Sequence, residues 1–209
     1  MKELIIVGAG GHGIEIAWLA RRCNRVIKGF LDNTPEKQNQ IIADLRVLGT
    51  LDKRNDFMDC EFVIAVGSPR ARKNIVCNYF NSSIYKFATL VDPTAIIGEN
   101  VKISEGSMIC ARSILTIDVQ IGKHTIVNIN STISHGCSLG DYVTLAPNAS
   151  VSGDIDIANL VEIGASAVVK EKIKIKEGAL VGMGSVVTKN IDRNCVVVGN
   201  PAKFLKILD

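Results

Sequence analysis

Few side chains in this sequence can exchange a proton near neutral pH. Histidine has its ordinary pKa in that range, and the chain contains three: His12, His124 and His135. A general base for group transfer would come from this small set. A zinc site with three histidine ligands on one repetitive segment is disfavoured, because only His124 and His135 lie beyond residue 97, where the repeats run. The six cysteines form no CxxC pair, which favours a reducing, cytoplasmic location and no metal site.

A second chemical feature is the glycine-rich segment 8–13, which has the form GxGxxG. It follows a strand predicted over 3–7 and precedes a helix predicted over 12–23, and Asp32 ends the next predicted strand. This arrangement is typical of NAD binding, with the acid on the ribose. About ninety residues supply only half of a dinucleotide fold. The same glycines would let the phosphates of a nucleotide-sugar approach the helix N-terminus. We favour the nucleotide-sugar and keep NAD as the alternative.

The elements that must position these residues divide the chain in two. Further strands are predicted over 26–31 and 62–66, with a second helix over 69–80, so the first part is an α/β unit. Beyond it, every sixth residue from Ile97 to Val187 is Ile, Leu or Val. Four residues after each lies a second position, from Val101 to Ile191, that is never large. The boundary is predicted near Asp92-Pro93, which gives domains 1–90 and 91–209.

The period of six predicts an unusual β-fold. It matches neither a helix nor an isolated strand, but it suits a solenoid of short strands that turns a corner in every repeat, with both positions facing inward. Three repeats make one coil, so residues eighteen apart stack about 4.8 Å from one another. By this arithmetic His135, third in its repeat, projects outward beside a corner. His124 is expected at a solvated corner without a function.

Charge and hydropathy exclude other classes of protein. The formal net charge is +3 without a long run of one sign, which disfavours nucleic-acid binding and a polybasic membrane anchor. The apolar run near the N-terminus is too short for a signal peptide or a membrane span. The C-terminal part is locally basic and could attract a polyanion. Its cations are Lys170, Lys172, Lys174, Lys176, Lys189, Arg193, Lys203 and Lys206.

Five segments carry a resemblance to a known family. They are VGAGGHG at the start, FLDN at 30–33, AVGSPRAR at 65–72, ISHGCSLGDYVTLAPNASVSGDI at 133–155 and VVVGNPAK at 196–203. With the hexapeptide repeat, the whole chain resembles the NeuD/PglD-like bacterial sugar acetyltransferases of surface glycan biosynthesis. The resemblance implies a Rossmann-like half-domain followed by a left-handed parallel β-helix, assembled as a homotrimer. It also implies acetyl-CoA as the acyl donor and a nucleotide-linked amino sugar as the acceptor.

The resemblance also implies roles for individual residues. His135 corresponds to the general base, and Gly153, one coil above it, to the backbone N–H near the thioester oxygen. The residues implied for the nucleotide-sugar are Gly10, Gly11, His12, Asp32 and Asn33, with Gly67 and Arg70 nearby. Those implied for CoA are Gly164, Gly182, Gly184, Ala202 and Lys203.

The sequence departs from the family at one catalytic position. Members usually have Asp or Glu directly after the histidine, whereas this chain has Gly136. Asp118 and Asp154 lie eighteen residues before and after Gly136, so either could supply the missing carboxylate. A second histidine of some relatives corresponds to Thr144. Sugar O-acetylation, as on sialic acid, and a non-catalytic trimeric scaffold remain the alternative functions.

Overall fold

A computed structural model describes residues 2–208 of the chain. They form two compact units, divided between Leu90 and Val91. Within the described residues, no helix has the length and apolar character needed to cross a membrane.

The first unit is an α/β unit built on a five-stranded sheet of order β3-β4-β2-β1-β5. Its strands are β1 (Leu4–Val7), β2 (Ile27–Leu31), β3 (Ile41–Ile42), β4 (Leu45–Gly49) and β5 (Glu61–Ile64). Its helices are α1 (Gly11–Arg22) and α2 (Pro69–Tyr79), with 3-10 turns over Pro35–Lys37 and Leu51–Phe57. Strands β1, β2, β4 and β5 pair in parallel, whereas β3 and β4 form an antiparallel hairpin. The predicted α/β character of this unit is confirmed.

Strands β3 and β4 and the 3-10 turns are not predicted from the sequence. The β3–β4 hairpin turns at Ala43 and Asp44, which both have positive φ. Two residues of this conformation make the kind of tight turn that usually contains Asn-Gly or Asp-Gly. Because Ala-Asp is not such a pair, the local sequence lacks the ordinary hairpin signal.

The second unit is the predicted parallel β-helix, with short strands, most of them of two residues, in three sheets. The first sheet comprises β6 (Leu90–Val91), β9 (Met108–Ile109), β12 (Ile126–Val127), β15 (Thr144–Leu145), β18 (Glu162–Ile163), β21 (Leu180–Val181), β23 (Cys195–Val198) and β24 (Lys203–Ile207). The second comprises β7 (Ile96–Ile97), β10 (Ile114–Leu115), β13 (Thr132–Ile133), β16 (Ser150–Val151), β19 (Val168–Val169) and β22 (Val186–Val187). The third comprises β8 (Lys102–Ile103), β11 (Gln120–Ile121), β14 (Ser138–Leu139), β17 (Asp156–Ile157) and β20 (Lys174–Ile175).

Strand pairing in the β-helix follows a register of eighteen residues. Ile133, for example, pairs with Leu115 on one side and Val151 on the other. The aliphatic positions from Ile109 to Val187 are buried in one continuous core. Ile97 and Ile103 are more exposed because their strands end their sheets. The hairpin of β23 with β24 closes the first sheet.

The second inward position contains several buried hydroxyl side chains, and four of them make one recurring hydrogen bond. Each of these four hydroxyls donates to the backbone carbonyl fifteen residues further along the chain. The bonds join Ser107 to Gly122, Ser113 to Asn128, Thr125 to Gly140 and Ser131 to Ala146, at 2.8–3.0 Å. A hydroxyl-bearing residue is therefore accommodated inside the coil without an unpaired polar group.

The corners of the β-helix have a uniform backbone conformation. Every sixth residue from Asn100 to Gly184 has a φ between +53° and +75°. Asn, Asp and Gly suit this left-handed region, but Arg112, Tyr142 and Leu160 also adopt it. The stacking of the coils therefore imposes the turn even where the local residue disfavours it.

Candidate active site

His135 lies beside a corner of the β-helix and projects outward. Its side chain is 66% exposed, and its Nδ1 lies 3.7 Å from Oδ1 of Asp154 on the next coil. The following residue, Gly136, is the corner itself, with φ +68°. The imidazole is thus held at an accessible edge of the unit.

Gly153 stacks against the ring of His135. A Cβ at this position would lie 2.5 Å from Cε1 and 2.6 Å from Nε2 of the imidazole, closer than real side chains approach. The Gly153 carbonyl accepts a hydrogen bond of 3.0 Å from the N–H of Lys172. The imidazole can occupy its position only because residue 153 has no side chain.

The two carboxylates considered as partners of His135 have different surroundings. Asp154 faces the imidazole, and its N–H donates to the His135 carbonyl at 2.9 Å. The Asp118 carboxylate instead accepts a hydrogen bond of 3.0 Å from the Asn100 side chain on the preceding coil. The structure brings Asp154 to His135 and leaves Asp118 in contact with Asn100.

The prediction of a solvated His124 is wrong. Its side chain is buried, stacked on Tyr142 with ring centroids 5.2 Å apart, and it lies against Gly106, where a Cβ would meet its Nδ1 at 2.3 Å. Residues 106, 124 and 142 are eighteen apart, so the imidazole is stacked between Gly106 and Tyr142, and the missing side chain of Gly106 leaves it room. Thr144 is buried as well.

In the first unit, the glycines of segment 8–13 have separate structural roles. Gly8 has a φ of +103°, and a Cβ on Gly13 would lie 2.0 Å from the Gly8 carbonyl oxygen, so these two shape the turn. Around Gly10 and Gly11 there is no atom within 4 Å of an added Cβ. Helix α1 begins here with no acidic residue in its first turn. This open, positively polarised helix end suits an anionic ligand.

Asp32 ties the glycine loop to the end of β2. It accepts hydrogen bonds from the N–H groups of Ala9 and Thr34 at 2.7 and 2.8 Å, and Lys37 Nζ lies 3.1 Å away. Burial alone would raise the pKa of the carboxyl, but the hydrogen bonds from Thr34, Ala9 and Lys37 lower it to about 2. Asp32 is therefore ionised at neutral pH, with both oxygens engaged by the protein itself.

His12 offers a polar atom that the protein leaves unsatisfied. Its Nδ1 lies 3.3 Å from Glu15, and its Nε2 is buried without a hydrogen-bond partner within residues 2–208. Burial, with a smaller effect of Arg72, lowers the pKa of His12 despite the opposing effect of Glu15. Because the carboxylate can only accept, neutral His12 carries its proton on Nδ1, and Nε2 is an acceptor.

A cavity of about 210 Å³ lies beside the glycine loop, lined by Val7, Gly8, Asp32, Asn33, Leu51, Val66 and Ile75. Asn33 holds its wall in place, since its side chain accepts from Leu51 N–H at 2.8 Å and donates to the Tyr79 hydroxyl at 3.2 Å. Asp32 and Asn33 thus support the loop and the cavity. The mostly apolar lining can receive a flat, uncharged group.

Sequence reasoning missed Arg72 and chose Arg70 instead. Arg72 is fully buried, and its guanidinium donates to the carbonyls of Val66 and Gly67 at 2.6 and 2.9 Å. Arg70 is only half-buried. The two lie on one helical turn at the start of α2, and the sequence has no signal for which of them turns inward.

The residues expected to bind CoA fall into two places. Gly164 and Gly182 line a groove of about 470 Å³ along the first sheet, together with the highly exposed Met183. Ala202 and Lys203 line a separate cavity of about 480 Å³ near the β23–β24 hairpin, which Lys189 also borders. Gly184 has φ +66° and open space around it.

Several of the C-terminal cations are engaged in ion pairs. Lys174 pairs with Asp156 at 3.7 Å, Lys176 with Asp192 at 2.7 Å and Arg193 with Glu177 at 2.5 Å; the pairs are exposed at the surface. Lys189 and Lys203 border the cavity near the β23–β24 hairpin and are better placed to bind an anion than these ion-paired cations. Among residues 2–208 no group of three or more His, Cys, Asp or Glu is arranged to hold a metal ion.

Comparison with family models matches both units. The PglD N-terminal domain matches residues 3–79, and the bacterial transferase hexapeptide (six repeats) matches residues 118–153. WeeI from Acinetobacter baumannii is 31% identical, with a TM-score of 0.86 over 98% of this chain and 100% of that chain. The chain belongs to the NeuD/PglD-like family of hexapeptide-repeat sugar acetyltransferases. Membership makes this protein an acyltransferase.

Two further structures are similar to this acetyltransferase along its whole length. The acetyltransferase domain of PglB from Neisseria gonorrhoeae, in complex with acetyl coenzyme A, is 28% identical, with a TM-score of 0.89 over 98% of this chain and 99% of that chain. A mutant perosamine N-acetyltransferase from Caulobacter crescentus, in complex with CoA and GDP-perosamine, is 21% identical. Its TM-score is 0.90 over 99% of this chain and 98% of that chain. The latter likeness concerns the fold alone. Comparison with curated protein sequences gives no significant match.

Proposed function

We propose that this protein transfers the acetyl group of acetyl-CoA to the amino group of a nucleotide-linked amino sugar, with His135 as general base. The observation that carries the proposal is the accessible imidazole of His135, seated on Gly153. The PglB acetyltransferase domain, 28% identical, was determined with acetyl coenzyme A, which supports the donor.

The proposed chemistry needs one proton acceptor and one oxyanion donor. The sugar amine attacks the thioester carbonyl, and Nε2 of His135 takes the proton that the nitrogen loses. The backbone N–H of Gly153 donates to the carbonyl oxygen as negative charge develops on it. The carbon–sulfur bond then breaks, and the proton passes from His135 to the sulfur of CoA as it leaves.

The glycine loop is the proposed site of the nucleotide. Its phosphates would lie at the open N-terminus of α1, next to Gly10 and Gly11. The unsatisfied Nε2 of His12 is available to a hydroxyl or other donor of the ligand. Asn33, Gly67, Arg70 and Arg72 complete the surrounding loop. Asp32 accepts hydrogen bonds from Ala9, Thr34 and Lys37, which keep it beside the loop, where it would face the nucleotide. A nucleotide-sugar is favoured over NAD because about ninety residues supply only half of a dinucleotide fold.

The proposed CoA site follows the first sheet toward the C-terminal end. Gly164 and Gly182 line the groove, and Ala202 and Lys203 the cavity, while Gly184 has open space around it. Lys189 and Lys203 would meet the phosphates. We propose a homotrimer as the assembly, and light scattering after size-exclusion chromatography measures it directly.

The experiment that tests the function is an assay of CoA release with a panel of UDP-, dTDP- and GDP-linked amino sugars. The matched variant is His135→Asn, which keeps a similar planar shape without a base. We expect a fall in kcat of about 10²–10⁴-fold with little change in KM. Hydroxyl analogues of the same sugars distinguish N-transfer from O-transfer. Full activity in the variant, or thermal stabilisation by NADH but not by acetyl-CoA, would refute the proposal.

A further inference from the structure

We propose that Asp154 is the positioning residue for His135. It lies one coil above Gly136 and supplies the carboxylate that position 136 lacks in this chain. This inference rests on the proposed role of His135 as base. In it, the carboxylate orients the imidazole so that Nδ1 carries the proton and Nε2 presents its lone pair to the acceptor amine. The residue next to the histidine in the chain is replaced by one eighteen positions further along.

The first argument is the double attachment of Asp154 to His135. The backbone N–H of Asp154 donates to the His135 carbonyl at 2.9 Å, and its Oδ1 lies 3.7 Å from Nδ1. The latter distance is longer than a hydrogen bond. It lies within reach of a small side-chain rotation, and catalytic hydrogen bonds commonly tighten only when ligands bind. The backbone bond keeps the two side chains facing each other while that rotation occurs.

The second argument is that a side chain at 136 and the carboxylate of Asp154 compete for one volume. A Cβ built on Gly136 would lie 2.4 Å from Oδ1 of Asp154. The carboxylate therefore fills the space that a residue following the histidine would need. Glycine at 136 is required for this placement, so the two residues act as a linked pair. The corner conformation itself would accept an aspartate, because Asp118 and Asp154 both have φ +57° in the same column.

The third argument is that Asp118 cannot serve equally. It occupies the corresponding corner one coil below Gly136, but its carboxylate accepts from the side chain of Asn100, on the far side from Asp154. Other charged or titratable groups near the pair are Lys172, at the corner above Asp154, Glu171, at the position above Gly153, and Cys137. The Cys137 thiol is buried, and burial raises its pKa, so it stays neutral. Only Asp154 has an ion-pair distance to His135 among residues 2–208.

The test compares matched carboxylate removals in the full-length enzyme. Asp154→Asn and Asp118→Asn change the same charge at equivalent corners. We expect Asp154→Asn to lower kcat by roughly 10- to 100-fold with KM little changed, a part of the effect of the base itself. Asp118→Asn should leave kcat and KM unchanged.

A swap variant tests the positioning role by a gain of activity, in addition to the loss of activity expected from Asp154→Asn. Gly136→Asp alone should reduce activity, because the new side chain meets the Asp154 carboxylate. Gly136→Asp combined with Asp154→Gly moves the carboxylate to the position after the histidine, and we expect kcat to recover by at least tenfold over Asp154→Gly alone. Thermal unfolding of every variant confirms that it is folded.

The outcomes separate the two proposals. If His135→Asn is inactive while Asp154→Asn keeps the wild-type kcat, the positioning role is wrong and the general base stands. An equal loss in Asp118→Asn, or no recovery in the folded swap variant, also overturns the positioning role. If His135→Asn itself is active, the proposed function fails first.

Discussion

The β-helix and the α/β unit differ in how a residue acquires its environment. In the β-helix each side chain contacts residues eighteen positions away, so burial, corner conformation and neighbours repeat along the chain. In the α/β unit the decisive contacts occur once, as between Asp32 and Ala9 or between Arg72 and Gly67. In the β-helix the spacing of residues in the sequence predicts which of them are neighbours, whereas the contacts of the α/β unit are known only from the structure.

The largest effect is expected at Arg72, whose cation is fully buried at the start of α2. Arg72→Ala leaves two buried carbonyls without their donor and opens a cavity, which should cost about 3–5 kcal/mol in the free energy of unfolding. Arg70→Ala, two residues away and half-buried, should cost less than about 1 kcal/mol. Urea unfolding monitored by circular dichroism measures both. Equal losses in the free energy of unfolding would show that the buried contacts of Arg72 do not stabilise the fold more than those of Arg70.

The next effect concerns position within the repeat. Ile163→Ala, in the middle of the core, should cost about 2–5 kcal/mol, because a cavity remains between stacked coils. Ile103→Ala is the same change at the same repeat position in an end strand, and it should cost about half as much or less. Denaturant midpoints compare the two. A uniform cost would contradict the view that stacking on both sides sets the stability.

An intermediate effect is expected from Asp32→Asn. The carboxylate has its pKa lowered from 3.8 to about 2, so it stabilises the folded state fully above pH 3.8 and loses this contribution as the pH falls through 2. The variant should be about 1–3 kcal/mol less stable at pH 7. Unfolding measured at pH 7, 4, 3 and 2 should show the difference shrinking toward the acid end. The exposed Asp52→Asn is the control, with a change of less than about 0.5 kcal/mol.

The smallest effect lies inside the coils. Ser131→Ala removes the hydrogen bond to the Ala146 carbonyl and should cost about 1 kcal/mol. Ser131→Cys should cost less, because Cys137 occupies the same repeat position and its thiol lies 3.0 Å from the corresponding carbonyl of Ser152. Thermal unfolding of the two variants measures which of them loses more stability. A larger loss for Cys than for Ala would exclude the shared donor role.

Much of the fold could be predicted because the repeat is long and regular. The burial of the aliphatic positions from Ile109 to Val187 followed from counting alone. The outward projection of His135 and the stacking of Gly153 on it followed in the same way. The corner position of His124 was predicted correctly, but its exposure was not. The imidazole is buried because Gly106, one coil below, has no side chain to occupy that space and Tyr142 stacks on its other face.

The sequence by itself determined the period of the β-helix, the α/β order of the first unit and the small set of histidines. These follow from residue types and spacing, which local geometry converts directly into strands and corners. Only the tertiary structure distinguished Arg72 from Arg70 and Asp154 from Asp118. Asp118 and Asp154 lie eighteen residues on either side of Gly136, and Arg70 and Arg72 lie on one turn of α2. In each pair the two side chains have the same chemistry, and packing decides which of them meets a partner. Gly136 connects the two levels: the sequence shows that position 136 has no side chain, and the structure shows that the Asp154 carboxylate occupies that space beside His135.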